Sequence, residues 1–65
     1  MAMKKPIVDE KELYTIPETC RALGIDRRTL NRYTAAGSIR SHIRKADNRI
    51  VYFGEDIMRC YYTVA

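Results

Sequence analysis

The spacing of apolar and polar positions changes along this chain, and each change marks an element. Thr15-Ile16-Pro17-Glu18 sets a hydroxyl N-cap three residues before a glutamate, with proline in the first turn, where its missing N–H costs nothing. Ile16, Cys20 and Leu23 follow at i, i+4 and i+7 on one stripe, and Gly24 offers the left-handed backbone that ends a helix. The pattern predicts a first helix of barely two turns. One residue later Asp26 can accept from the free N–H groups of a new turn, so a second helix is expected from about Asp26 to Ala36, closed by Gly37. Leu30, Tyr33 and either Ala35 or Ala36 form its inner stripe, and Arg27, Arg28, Asn31 and Arg32 lie away from that stripe.

From Ser38 the period becomes two. Ile39, Ser41 and Ile43 alternate with Arg40, His42 and Arg44, as in a strand with one buried face. Ala46-Asp47-Asn48 supplies turn chemistry, and Arg49-Ile50-Val51-Tyr52-Phe53 returns as a second strand of a basic-tipped hairpin. Gly54-Glu55-Asp56 breaks that strand and places acids at a helix start. Ile57, Cys60, Tyr61 and Val64 then recur at helical spacing. Residues 1–12 are charged, contain Pro6 and show no period that buries a face, so they read as a flexible tail before a domain at 13–65. Met1-Ala2 would suit an added leader before a natural Met3. The expected fold is mainly α with a small β-hairpin: three short helices and a two-stranded antiparallel wing.

Charge turns this outline into a functional expectation. The net charge is +4, but residues 20–49 hold eight Lys/Arg against two Asp/Glu, while residues 1–19 hold three against four and residues 50–65 one against two. Seven of the eight central cations are arginine, the side chain suited to phosphates and guanine edges. A polyanionic partner follows, with a solvated basic surface as the plainer reading. At 65 residues the chain is one domain with a small core. No apolar run approaches the roughly 18 residues of a membrane span, and no signal-peptide core is visible, so a cytoplasmic protein is expected. Cys20 and Cys60 are too few for a disulfide framework and read as reduced thiols.

Two short helices joined by a tight glycine-containing turn make a helix-turn-helix. Cys20 is small where the helices cross, Gly24 supplies the sharp exit, and Leu23, Ile25, Leu30 and Tyr33 are the contacts that hold the crossing. Thr19 stands where an aliphatic residue is usual, which a hydroxyl bonded back into its own helix would absorb. Over Leu13 to Tyr62 the chain resembles the compact winged helix-turn-helix domains of the MerR superfamily, especially the small excisionase-like proteins of bacteria and mobile elements. The run LGIDRRTLNRYTAAGSI is the specific part of that likeness, and YFGEDI supports it more loosely.

The resemblance implies a recognition helix in the major groove of double-stranded DNA and a wing on the backbone or the adjacent minor groove. Arg27 and Arg28 would sit where side chains reach base edges, each able to pair guanine bidentately for about 1–3 kcal/mol of discrimination. Asn31 would read adenine, and Thr29 and Arg32 would take phosphates. The wing residues would be Arg44, Lys45, Asn48 and Arg49. Twelve residues follow Phe53, too few for the dimerising helix and effector region of larger MerR regulators, so no small-molecule effector is expected. Useful affinity would then come from further copies or a recombinase on the same DNA, in transcription regulation or DNA recombination.

Other chemistries fit less well. His42, Cys20 and Cys60 contain no close pair to nucleate a zinc site, so buried thiols and an exposed strand histidine are expected, with no metal or cofactor. Ser38, Ser41 and His42 lack an orienting acid and a cavity, so no catalysis is assigned. Tyr14, Tyr33, Tyr52, Tyr61 and Tyr62 can stack on bases, but Tyr33 and Tyr61 fall on core stripes. The alternatives from other classes are a protein-interaction module using Tyr61 and Tyr62, or a fragment of a larger phage or mobile-element protein.

Overall fold

A computed structural model describes residues 3–64; the expected leader at Met1-Ala2 lies outside the described residues. The chain runs β1 (Leu13–Thr15), α1 (Ile16–Leu23), α2 (Arg27–Ala35), β2 (His42–Arg44), β3 (Arg49–Phe53) and α3 (Gly54–Val64). The fold is thus a small winged helix-turn-helix of three helices, but its sheet has three antiparallel strands in the order β1-β3-β2. The additional strand pairs Leu13, Tyr14 and Thr15 with Phe53, Tyr52 and Val51. A three-residue strand leaves no alternation long enough to read from sequence, and only its partner reveals it.

Local signals placed the helix ends correctly. Thr15 caps α1 through a reciprocal capping box in which its N–H donates to Glu18 Oε1 at 2.9 Å and its Oγ1 accepts from the Glu18 N–H. Gly24 ends α1 at φ 68°, and a Cβ there would also stand 3.0 Å from Lys4 Cβ. In α2 the helix stops at Ala35. Gly37, at φ 79°, donates to the Thr34 carbonyl while Ser38 donates to the Tyr33 carbonyl, the paired closure of a Schellman turn.

The core contains Met3, Leu23, Leu30, Ile39, Tyr52, Ile57 and Cys60, with Ile16, Cys20, Ile25, Tyr33 and Tyr61 half-buried around it. Within α1, Thr19 is fully buried and Cys20 only partly so. The back-bond expected of Thr19 is not formed: its Oγ1 meets no partner among the described residues, which costs about 1–3 kcal/mol. The inner face of α2 is Leu30, Tyr33 and Thr34, whereas Ala35 and Ala36 are exposed. The expected burial pattern of the first wing strand also fails. Ile39 is buried, but Ser41 is exposed and Ile43 is 67% exposed, because residues 39–41 lie outside the sheet and the hairpin then projects beyond the core. His42, expected at the surface, turns inward and meets Asp56 Oδ2 at 3.1 Å, its ring edge-on to Phe53 at 4.7 Å.

The segment expected as a tail forms no helix or strand at residues 3–12, yet it is strapped onto the domain. Met3 is buried, and the Lys4 N–H donates to the Leu23 carbonyl at 2.8 Å. Further on, the Glu12 and Glu10 carbonyls accept from Gly54 and Glu55, two of the N–H groups that the start of α3 leaves without helical partners. This crossing requires glycine at position 54: a Cβ there would lie 1.9 Å from the Asp9 carbonyl oxygen. Alanine gains about 1 kcal/mol over glycine in an open helix, but a clash with backbone outweighs that gain. Gly54→Ala is expected to destabilise the domain by about 2–3 kcal/mol, read as a lowered urea midpoint. An unchanged or raised midpoint would show that the strap does not bear on α3.

Candidate nucleic-acid interface

The second helix of the pair presents the densest group of candidate readers, and its start is fixed by a charge. Asp26 holds an extended backbone and its Oδ1 accepts from the Thr29 N–H at 2.7 Å. Hydrogen bonds from Thr29, with the Arg28 charge adding to them, hold the Asp26 carboxyl below the usual carboxylate range. Thr29 is half-buried with its N–H spent on this cap, which places it at the edge of the exposed face. Arg27, Arg28, Asn31 and Arg32 are all exposed. None of these three arginines forms an ion pair among the described residues.

Helical spacing divides these four side chains into two ridges. Arg27, Asn31 and Thr34 follow one another at i+4 and i+3, and Arg28 with Arg32 forms the next ridge round the helix. The Thr34 end of the first ridge touches the sheet: Thr34 Oγ1 donates to the Leu30 carbonyl at 2.9 Å and so accepts from the Tyr52 hydroxyl at 2.8 Å. The ridge of Arg27 and Asn31 therefore runs on the side of the wing, and that of Arg28 and Arg32 faces outward.

The wing is built from His42↔Val51, Ile43↔Ile50 and Arg44↔Arg49 pairs. Two arginines directly opposite each other repel, and Asp47 resolves this. Its carboxylate accepts from Arg44 Nε at 3.1 Å and Nη2 at 2.6 Å, accepts from the Arg49 backbone N–H at 3.2 Å, and lies 3.8 Å from Arg49 Nε. The Arg44 hydrogen bonds lead the causes that hold the Asp47 carboxyl low. Arg44 is thus committed to the turn. Asn48 has φ 55° and donates its N–H to the Arg44 carbonyl, so it serves the turn's left-handed corner, which asparagine tolerates well. Lys45 is exposed, and the Arg49 side chain is 76% exposed.

Between the two surfaces lies a hollow of about 460 Å³ lined by Thr15, Ile16, Pro17, Cys20, Arg27, Arg49 and Ile50. It brings the first residue of α2 and the first residue of β3 to one concavity. The sequence pattern assigns Cys20 to the helix crossing and Ile50 to the strand, and places neither beside the arginines. It also misses Asp47 as the hub of the wing, although an acid three residues after one arginine and two before another is a visible sign. Cys20 and Cys60 are free thiols, both pushed up by burial, which keeps them protonated. The described residues contain no cluster of three or more His, Cys, Asp or Glu suited to a metal, and no helix long and apolar enough to cross a membrane.

Because the folded Asp26 carboxyl titrates below its unfolded value, it stabilises the domain above about pH 3.9, and that stability is lost as pH falls through the folded pKa. Glu18, held low mainly by the Thr15 backbone N–H, and Asp47 act with the same sign. The urea midpoint is accordingly expected to fall on acidification. Asp26→Asn, which keeps a capping oxygen without a titrating charge, should make that fall shallower. An acid limb identical to that of the parent chain would remove Asp26 from the account.

No curated protein and no solved structure matches this chain. The helix-turn-helix domain family does, over residues 13–59, a stretch that begins at β1, contains both helices of the motif and the whole wing, and ends within α3. The chain belongs to that DNA-binding helix-turn-helix family.

Proposed function

We propose that this chain binds double-stranded DNA sequence-specifically, with α2 in the major groove and the wing on the flanking backbone or minor groove. The observation that carries the reading is the set of exposed cations along α2, without ion pairs among the described residues, of which Arg27 shares a hollow with Arg49 of the wing. Arg28 near the helix start and Asn31 one turn on read base edges, as guanine and adenine edges match guanidinium and carboxamide groups. Arg32, Lys45 and Arg49 hold phosphates, while Arg44 and Asn48 shape the wing that carries them. Thr29 contributes through the cap of the helix.

In kind, the protein is a MerR-like, excisionase-like DNA-binding factor of the cytoplasm that acts in recombination or as a small transcriptional regulator. A domain of this size buries a modest interface, so binding is completed by neighbours on the same DNA, either further copies or a recombinase. Neither a small-molecule effector nor a catalytic step enters the reading.

With about four or five phosphates held, log affinity should fall against log salt with a slope of about −4. Arg28→Ala is expected to flatten the preference among duplexes recovered by selection from a random library, and Lys45→Ala to weaken all duplexes about equally. Titration of labelled duplexes at several salt concentrations checks both. Absent binding at low salt, or binding indifferent to salt, would contradict the proposal.

A further inference from the structure

The hollow at the junction of α2 and the wing has a composition that neither surface explains alone. Its walls include Arg27 and Arg49, its remaining surface is largely Ile16, Pro17, Cys20 and Ile50, and none of the described residues lining it is acidic, Asp47 lying outside it at 3.8 Å from Arg49 Nε. Ile50 stays 45% exposed, and Ile43, paired opposite it, is 67% exposed, so this apolar surface is not consumed by the core. A strand of DNA backbone alternates an anionic phosphate with an apolar deoxyribose face, and so matches two cations set over apolar side chains. A volume of about 460 Å³ falls in the range that accommodates small organic groups.

The ridge geometry points the same way. Arg27 and Asn31 share a ridge with Thr34, which is bonded to Tyr52 of β3, and of the two Arg27 lines the hollow while Asn31 does not; Arg28 and Arg32 lie on the outward ridge. Building on the DNA-binding reading above, we infer that this hollow seats one DNA backbone strand as it passes from the groove read by α2 to the wing. Arg27 and Arg49 hold its phosphate from two different elements, and Ile16, Pro17 and Ile50 pack against deoxyribose. Arg27 is then a positioning residue and reads no base, which leaves direct readout to Arg28 and Asn31.

Cys20 provides a reporter already in the hollow, and the fully buried Cys60 is its internal control. Two measurements on the full chain test the inference. In the first, Arg27→Ala is titrated against a selected duplex and a mixed-sequence duplex. It should weaken both by the same factor, about eightfold at about 0.1 M salt, and make the salt slope shallower by about one. In the second, maleimide labelling of Cys20 should slow when the mixed-sequence duplex saturates the protein. If Arg27→Ala instead abolishes preference with mixed-sequence affinity unchanged, or Cys20 labels at its free rate in the saturated complex, the hollow holds no backbone and the DNA-binding reading still stands. Protection of Cys20 by poly-glutamate with none from DNA would assign the hollow to an acidic protein segment and overturn the inference. If no duplex binds at low salt, that reading falls together with the inference.

Discussion

A phenol buried to 1% exposure has to find a hydrogen-bond partner, and Tyr52 finds it on α2. Thr34 can accept from Tyr52 because its own hydroxyl proton goes to the Leu30 carbonyl one turn back, so helix, side chain and strand are joined in one chain of donors and acceptors. Tyr52 lies in the central strand of the sheet, with Tyr14 of β1 opposite it on one side and the wing strand β2 on the other. The Thr34–Tyr52 bond ties α2 to the central strand from inside the core, and that strand carries one side of the wing.

Acids within the basic segment shape the basic face, and the ion pairs they form are confined to the wing. Only Asp26 and Asp47 interrupt eight cations over residues 20–49. Asp26 spends its charge on the start of α2, and Asp47 spends its charge on holding Arg44 against the wing turn. Arg27, Arg28 and Arg32 are exposed and form no ion pair among the described residues. On the far side of the wing His42 and Asp56 join β2 to α3, and the strap at residues 3–12 supplies carbonyls to the start of the same helix. The elements distant from the basic face thus hold it in place and add little charge to it.

Sequence reading reached those features whose cause is local. The capping box at Thr15 and Glu18, the Asp26 cap and the glycines at helix ends depend on residues within a turn of each other, and all appear as expected. Features decided by distant partners were not legible. β1 exists because β3 has a free edge, the strap is held by carbonyls that meet α3, and His42 turns inward because Asp56 and Phe53 await it. Alternation predicted burial for Ser41 and Ile43 on the assumption that the core extends under the whole hairpin, and in so small a domain it does not. In the candidate interface, the identities of the cations were readable from sequence. The division between Arg28, which forms no ion pair among the described residues, and Arg44, which is committed to Asp47, is set by how the wing turn folds.

The central claim is that one continuous face, from α2 across the hollow to the wing, receives DNA. Backbone amide NMR of the labelled chain, recorded with and without a short duplex at low salt, tests this most directly. The account predicts shifts concentrated at residues 27–32 and 45–50, with residues 56–62 of α3 nearly unmoved. Shifts centred on Tyr61 and Tyr62, with the α2 amides unmoved, would contradict it.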